Sequence, residues 1–282
     1  MIQVAAIPQG ISLERFSRWL EAQNVVHEIR REQGQQVLMI DNETLHEPVL
    51  KALKHYLDDP DNYRDPAPQR RTVPGHWQAS PGQAPLTLGL VLLAALVAWV
   101  TGFGASDDLV TMLTLVNPLE YPVNTLEQRL DALGATLSAG QFWRLLTPDI
   151  LHFSVTHLVF NAVMLWYLGS QVEVLDGRGH ALGLFLFSSL AANLPQYLIG
   201  GPLFGGLSGV VYAVLGYVWI SNQHRPRFQF PPALMTVAVV WLMIGFTPLT
   251  QVLLGASMAN AAHLGGLIAG LVYGALVSAS GD

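Results

Sequence analysis

Two long segments of this chain contain no charged side chain, and they limit what it can fold into. No Asp, Glu, Lys or Arg occurs between Gly179 and Gln223, and none occurs between Phe228 and Gly281. One transmembrane helix needs about 20 apolar residues, so each segment is long enough for two. Only 12% of the whole chain is charged, whereas soluble domains contain about a quarter. The sequence therefore predicts an all-α membrane domain.

The apolar segments predict six transmembrane spans, which lie near 86–103, 150–171, 180–198, 207–221, 231–246 and 260–279. A polar insertion, 104–149, separates the first two spans, and its apolar stretches Leu109–Leu115 and Leu126–Leu133 are expected to form short interfacial helices. Nine of the fourteen Lys and Arg residues precede the first span. Cytoplasmic loops carry an excess of these residues, so both termini are expected in the cytoplasm and the 104–149 insertion outside.

The first 60 residues predict a small soluble α+β domain with the element order βαββα. Its elements are expected as strands Ile2–Ala6, Val25–Arg30 and Gln36–Ile40 and helices Leu13–Gln23 and Leu45–Asp58, with Ser12 and either Asn42 or Thr44 as helix caps. Repeated prolines in residues 61–85 indicate a linker. Residues 86–282 then form the six-span domain.

Charge and cysteine content exclude several classes of partner and site. The net charge of −6 argues against a nucleic-acid partner, which requires a basic surface. The chain contains no cysteine, which excludes disulfides and thiolate metal sites. Residues 1–6 lack the basic start of a signal peptide. The expected partners are the lipid bilayer and other membrane proteins.

Polar residues recur near the starts of the even-numbered spans. With both termini inside, these spans all run from the outer side to the inner side, so their starts lie at a similar depth. The residues concerned are His152, His157, Asn161, Ser208, Asn260 and His263. Polar side chains inside a membrane are costly and indicate a functional site.

A serine and a histidine at one depth suggest nucleophilic catalysis. Serine attacks poorly until a base removes its proton, and neutral histidine suits that task near pH 7. The span that starts at Ser208 covers only about 21 Å as far as Ser221, at 1.5 Å per residue, which is short of the about 30 Å hydrocarbon core. A glycine-rich loop must therefore enter the membrane to meet it, and this requires a protein-lined or wet cavity.

Small residues predict how the two helices meet. Gly266, Gly270 and Gly274 form a repeated G-x-x-x-G ridge on the sixth span, a pattern that lets membrane helices approach closely. If this ridge packs on the fourth span, His263 meets Ser208 and Tyr212. No acidic residue is well placed to orient His263, which favours a Ser–His dyad over a triad.

One further group of donors could stabilise a tetrahedral oxyanion. His157 and Asn161 lie one turn apart on the second span and can point at one spot. The backbone N–H of Ser208 at a helix N-terminus would add to them.

Four segments together carry a resemblance to a known family. They are Trp143-Arg144, His152-x4-His157-x3-Asn161, Gly206-Leu207-Ser208-Gly209-Val210-Val211-Tyr212, and Ala259-Asn260-Ala261-Ala262-His263 followed by Gly266 and Gly270. With these motifs the chain resembles the rhomboid intramembrane serine proteases, in particular the bacterial type with six spans and a soluble cytoplasmic N-terminal domain. One departure is Gly265, where the family usually has alanine.

The resemblance implies a role for each matching residue. Ser208 is the expected nucleophile and His263 the general base and acid, with His157, Asn161 and the Ser208 amide as the oxyanion hole. The expected supporting residues are Tyr212, stacked against His263, together with His152, Asn260, Trp143, Arg144, Gly206, Gly209, Gly266 and Gly270. The 247–259 segment is similar to the family's mobile cap and the fifth span to its proposed lateral gate. No metal or cofactor is expected.

Two other functions are compatible with a polar cluster inside a membrane bundle. The chain could bind or escort transmembrane helices without cleaving them. It could also transport a small solute, although the spans lack carboxylates and an obvious inverted repeat.

Overall fold

The computed structural model describes residues 1–23, 25–32, 34–60, 79–224, 226–254 and 258–279. The chain divides into two compact units, Met1–Arg71 and Thr72–Asp282. Most of the predicted linker, residues 61–78, lies outside the described residues.

The N-terminal unit contains a small three-stranded antiparallel sheet and two helices. Its elements are β1 (Ile2–Pro8), α1 (Glu14–Ala22), β2 (His27–Glu32), β3 (Gln35–Ile40) and α2 (His46–Asp58). The strand order is β1-β3-β2, so β3 pairs with both neighbours. Apolar side chains from β3 and both helices form a buried core that includes Phe16, Leu20, Leu38, Ile40 and Leu53. The predicted βαββα order is confirmed.

The predicted caps of the two soluble helices need correction. A 3-10 turn, Glu43–Leu45, leads directly into α2, so its N-cap is Leu45 rather than Asn42 or Thr44. The N-cap of α1 is Leu13. The Ser12 hydroxyl, one residue before this N-cap, still accepts a hydrogen bond from the Glu14 N–H at 3.4 Å.

All regular secondary structure in the described residues of the second unit is helical. Its helices are α3 (Pro85–Val100), α4 (Asp107–Leu113), α5 (Leu126–Ser138), α6 (Val155–Asp176), α7 (Arg178–Gly200), α8 (Ser208–His224), α9 (Pro232–Gly245), α10 (Leu249–Leu254) and α11 (Asn260–Ala279). Among the described residues three helices, α6, α7 and α11, are long and apolar enough to cross a membrane. Helices α3 and α9 are apolar but shorter.

Helix α6 begins and ends about five residues later than predicted. It begins at Val155 because the Ser154 hydroxyl caps it, accepting a hydrogen bond from the His157 N–H at 3.2 Å. The helix continues past residue 171 because its buried polar side chains, such as Gln171 and Glu173, have hydrogen-bond partners. The Glu173 carboxylate accepts hydrogen bonds from the Leu86 and Thr87 N–H groups, at 2.9 and 2.8 Å, and so caps the start of α3. The predicted end of this span at residue 171 was therefore too early.

Helix α8 is largely buried and packs closely against α11. At Gly266 a Cβ would overlap the Gly209 carbonyl oxygen, and at Gly270 it would overlap the Ala213 carbonyl oxygen. The glycine ridge of α11 therefore contacts the α8 backbone, as predicted. Gly265 faces α7 instead, where a Cβ would overlap the Ala191 carbonyl oxygen. This close approach accounts for glycine in place of the family's usual alanine.

Side-chain hydrogen bonds to backbone groups stabilise the insertion between α3 and α6. Thr125 and Gln128 form a capping box that starts α5, which runs five residues beyond the predicted Leu133. The buried Arg144 guanidinium donates from Nη1 to the carbonyl oxygens of Thr111 and Thr114, at 3.0 and 2.8 Å. These contacts attach the end of α4 to the 3-10 turn Phe142–Leu145.

Candidate active site

The Ser208 hydroxyl and the His263 imidazole are in direct contact. His263 Nε2 lies 2.8 Å from Ser208 Oγ, within hydrogen-bonding distance. Ser208 is the first residue of α8 and His263 lies in the first turn of α11, so the close α8–α11 packing brings them together. His263 is 6% exposed, and its Nδ1 atom has no hydrogen-bond partner among the described residues. The pair therefore has the geometry of a nucleophile and its base, with no acid behind the histidine.

The Tyr212 ring packs against one face of the His263 imidazole. It stacks on His263 with ring centroids 4.8 Å apart and an interplanar angle of 23°. Its hydroxyl donates to the Ala238 carbonyl oxygen of α9 at 2.9 Å. Tyr212 lies one turn after Ser208, so a single helix face supplies both residues.

Gly206 brings the loop before Ser208 against two polar side chains of α6. Its φ is +124°, a conformation that L side chains rarely adopt. A Cβ at this position would lie 2.5 Å from His157 Cε1, 2.7 Å from His157 Nε2 and 3.5 Å from Asn161 Nδ2. The His157 and Asn161 side chains therefore lie beside the glycine-rich loop, at the end of α8 that carries Ser208.

His152 supports this group from outside α6. It was predicted near the start of a span, but it precedes the helix and is 1% exposed. Its Nε2 accepts from Asn161 Nδ2 at 3.2 Å and from the Leu207 N–H at 3.4 Å, while Nδ1 lies 3.4 Å from the Ile150 carbonyl oxygen. His152 thus links α6 to the loop that leads into α8.

Two of the residues expected to support the site, Asn260 and Arg144, make hydrogen bonds with other parts of the chain. The Asn260 amide donates to the Gly245 carbonyl oxygen and joins the start of α11 to the end of α9. Arg144 fastens the insertion, as described above. Trp143 is 55% exposed.

Two contacts near the site were not predicted. The Gln196 side chain of α7 accepts a hydrogen bond from the Ala262 N–H at 3.2 Å, next to His263. The Pro148 carbonyl oxygen accepts one from the Gly206 N–H at 2.9 Å. Gln196 is a polar residue in an apolar span, which is itself a sequence signal, but this span is not one of the even-numbered spans whose starts were predicted to share a depth. A backbone contact such as that of Pro148 leaves no sequence signal.

Among the described residues, no group of three or more His, Asp or Glu side chains could hold a metal ion.

Comparisons with known proteins cover both units of the chain. The family model described as the Rhomboid domain matches residues 139–280, and the one described as the Rhomboid N-terminal domain matches residues 1–64. Rhomboid protease GlpG of Pectobacterium atrosepticum is 33% identical over 96% of this chain and 95% of its own length. The chain belongs to the rhomboid family. It is an intramembrane serine protease of the bacterial GlpG type.

Other rhomboid relatives agree with this assignment. Rhomboid protease GlpG of Yersinia enterocolitica is 32% identical, and that of Serratia proteamaculans is 31% identical. Each match covers 96% of this chain and 95% of the relative. These relatives are proteases, so they give no support to a non-catalytic helix binder or a solute transporter.

Proposed function

We propose that Ser208 and His263 form the catalytic dyad of this rhomboid protease. Ser208 Oγ attacks the carbonyl carbon of a peptide bond while His263 Nε2 takes the hydroxyl proton. The imidazolium then donates that proton to the leaving amine, which departs and leaves an acyl ester on Ser208. A water molecule, deprotonated by His263, hydrolyses the ester and restores the serine. The 2.8 Å separation of Oγ and Nε2 is the observation that carries this proposal.

The developing oxyanion is stabilised by the His157 and Asn161 side chains and by the Ser208 backbone N–H. Their proximity to Gly206 supports this role. Donors fixed before reaction stabilise transition-state charge without having to reorganise. Gly209, Gly266 and Gly270 act indirectly because they allow the helix contact that positions the dyad.

Six helices cross the membrane, namely α3, α6, α7, α8, α9 and α11. Helix α8 has 17 residues, or about 25 Å at 1.5 Å per residue, so Ser208 lies below the membrane surface. Residues 86–282 form this catalytic domain, residues 1–60 form a soluble cytoplasmic domain and residues 61–85 link them. Both termini lie in the cytoplasm of a bacterial inner-membrane protein, and the dyad opens to the periplasmic side.

The substrates are single-span membrane proteins, cleaved in or near the outer part of their transmembrane segment. An intact helix holds its carbonyls in i to i−4 hydrogen bonds, so the substrate unwinds locally at the dyad. Helix α9 is the lateral gate, and the 247–259 segment, of which residues 255–257 lie outside the described residues, is the cap over the site.

Active-site labelling tests the dyad. Purified protein in detergent is treated with a fluorophosphonate, and wild type is compared with Ser208→Ala and His263→Ala. We expect label on Ser208 in wild type and none in either variant. Label that persists in Ser208→Ala would contradict the proposed nucleophile, and label that persists in His263→Ala would contradict the proposed base. A thermal unfolding curve for each variant establishes that it is folded.

A further inference from the structure

A proline lies inside α7, beside the two helices that carry the dyad. Pro195 is an interior residue of this helix. Proline has no N–H, so the Ala191 carbonyl oxygen, four residues earlier, lacks its usual helical donor, and the proline ring presses on that carbonyl group. The carbonyl oxygen is therefore free to contact a neighbouring helix. We call residues 191–196 of α7 the proline turn.

The freed carbonyl oxygen lies against the start of α11. A Cβ at Gly265, two residues after His263, would be only 2.1 Å from the Ala191 oxygen, so one Cα hydrogen of Gly265 points at this oxygen. Contacts between a Cα–H group and a carbonyl oxygen recur at helix–helix interfaces. A side chain at position 265 would push the two backbones apart.

The proline turn also binds the start of α11 through a side chain. Gln196 follows Pro195 and is buried, and its Oε1 atom accepts a hydrogen bond from the Ala262 N–H at 3.2 Å. The first N–H groups of a helix have no partner within that helix, so Gln196 caps α11 from α7. The Ala262 and Gly265 contacts lie on either side of His263 in the sequence, and both involve the proline turn.

The start of α8 packs on the same turn. A Cβ at Gly209, the residue after Ser208, would lie 2.6 Å from Ala192 Cβ. Ala192 is fully buried, and its Cα would lie 3.4 Å from a Cβ at Gly265. One residue of α7 therefore contacts the starts of both α8 and α11. A change in the proline turn would change the separation of Ser208 and His263.

We propose that Pro195 is a positioning residue for the dyad, and that the contact it allows between the Ala191 carbonyl oxygen and Gly265 sets the distance between Ser208 and His263. This inference rests on the proposed catalytic roles of Ser208 and His263. Pro195 acts only through the packing of α8 and α11 on α7, and it takes no part in proton transfer.

Restoring the missing donor should make the protein more stable but slower. Pro195→Ala supplies an N–H that can bond to the Ala191 carbonyl oxygen and draws this group back toward α7. We expect a higher unfolding temperature, because proline inside a helix is strongly unfavourable. We expect kcat for a single-span membrane substrate in liposomes to fall about tenfold with KM unchanged, the scale expected for a small displacement of reacting groups. A residue that served only the fold would not produce a more stable and slower enzyme.

A second substitution tests the contact itself. Gly265→Ala places a methyl group against the Ala191 carbonyl oxygen and should lower kcat about tenfold in the wild-type background. In Pro195→Ala, where this carbonyl group is drawn back, the same substitution should lower kcat by less than about threefold, because the effects of residues that share a contact are not additive. If Gly265→Ala does not fold, kcat and the unfolding temperature of Pro195→Ala still decide between the two roles.

Two matched controls measure the general effects of these substitutions. Pro85→Ala removes a proline from the first turn of α3, where a missing N–H leaves no helical hydrogen bond unmade. Gly179→Ala adds a methyl group to α7 at a position where a Cβ would meet nothing within 4 Å. Both variants should keep the kcat and KM of wild type.

The outcomes distinguish this inference from the proposed function. A folded Pro195→Ala protein with the kcat of wild type, or one that loses both kcat and stability, would overturn the inference. Additive effects of Pro195→Ala and Gly265→Ala would overturn it as well. These results leave the proposed function intact if fluorophosphonate labels Ser208 in wild type. A wild-type protein without label, or with label retained in Ser208→Ala, would overturn the proposed function and this inference with it.

Discussion

The phenol ring of Tyr212 stacks on the imidazole ring of His263, with centroids 4.8 Å apart. The two residues come from different helices, and the Tyr212 hydroxyl is in turn bonded to the Ala238 carbonyl oxygen at 2.9 Å. His263 Nδ1 has no described partner, so in the proposed dyad the ring contact takes the place of the acid that orients histidine in a catalytic triad. The stacked ring therefore limits the rotation of the imidazole.

Removing this ring should slow catalysis more than it destabilises the fold. We expect Tyr212→Leu to lower kcat about tenfold, because the imidazole is no longer held in line with Ser208. Tyr212→Phe keeps the stacking and should stay within about threefold of wild type, since it loses one hydrogen bond of about 1 kcal/mol. The measurement is kcat for cleavage of a single-span membrane substrate reconstituted in liposomes.

Tyr217 provides a matched control on the same helix. It is also buried, but its hydroxyl donates to Asp176 at 2.7 Å, away from the dyad. Tyr217→Leu should lower the unfolding temperature without lowering kcat of the folded protein. Equal losses of kcat in Tyr212→Leu and Tyr217→Leu would show that the His263 contact has no special role.

The dyad and its packing were predictable because they depend on regular spacing. Ser208 and Tyr212 are one helical turn apart, and the glycines of α11 recur every fourth residue, so the sequence indicated which faces meet. The common direction of α6, α8 and α11 then indicated a shared depth for their first turns. The facing helix surfaces follow from helical periodicity, and the shared depth follows from the distribution of Lys and Arg that sets the direction of the spans.

The remaining contacts were not predictable because they depend on partners that are distant in the sequence. The later end of α6 depends on Glu173 finding two amide donors at the start of α3. The His152 contact with Leu207 and the Pro148 contact with Gly206 join segments more than 50 residues apart. Such contacts can be read only from the tertiary structure, because the sequence around each residue gives no indication of its partner.

Added side-chain volume on the glycine ridge should separate α8 from α11. At Gly266 and Gly270 a Cβ would overlap backbone carbonyl oxygens, which cannot rotate away as a side chain can. We expect each alanine substitution to lower the free energy of unfolding by about 1–3 kcal/mol. Gly266→Ala should also reduce labelling of Ser208, because Gly266 lies one turn after His263.

Gly89, an exposed glycine of α3, provides the control for the general effect of replacing a helical glycine with alanine. A Cβ at Gly89 would meet nothing within 4 Å. Gly89→Ala should therefore leave the unfolding temperature and the labelling rate unchanged or slightly raised. Thermal unfolding in one detergent measures all three variants, and a Gly270→Ala protein as stable as wild type would contradict the close backbone contact.

Loss of either proposed oxyanion donor should reduce turnover. His157→Ala and Asn161→Ala are each expected to lower kcat by about 10- to 10³-fold, the range for removal of one donor. The expected change in KM is small, because the donors act mainly on the transition state. Phe160→Ala, at an exposed position of the same helix, should leave kcat unchanged. If kcat is unchanged in His157→Ala or Asn161→Ala, that residue is not an oxyanion donor.

Arg144 and Trp143 are neighbours in the sequence, but the structure gives them very different surroundings. Arg144 is buried and supplies hydrogen bonds to the carbonyl oxygens of Thr111 and Thr114, whereas Trp143 is exposed. Arg144→Ala would remove the guanidinium donor from the Thr114 carbonyl and leave the Thr111 carbonyl with only the Thr114 hydroxyl, so we expect a loss of about 3 kcal/mol in the free energy of unfolding. Arg144→Lys should recover only part of it, because an ammonium group lacks the planar fork of donors.

Trp143→Ala is the adjacent control and should cost about 0.5 kcal/mol or less, as expected for an exposed position. Chemical or thermal unfolding of the three variants in detergent gives these differences, and Ser208 labelling of the folded fraction should be similar in all of them. If Trp143→Ala were as destabilising as Arg144→Ala, the tryptophan would have to stabilise the insertion through contacts with the surrounding lipid or detergent. The buried guanidinium would then no longer be the main attachment between α4 and the 142–145 turn.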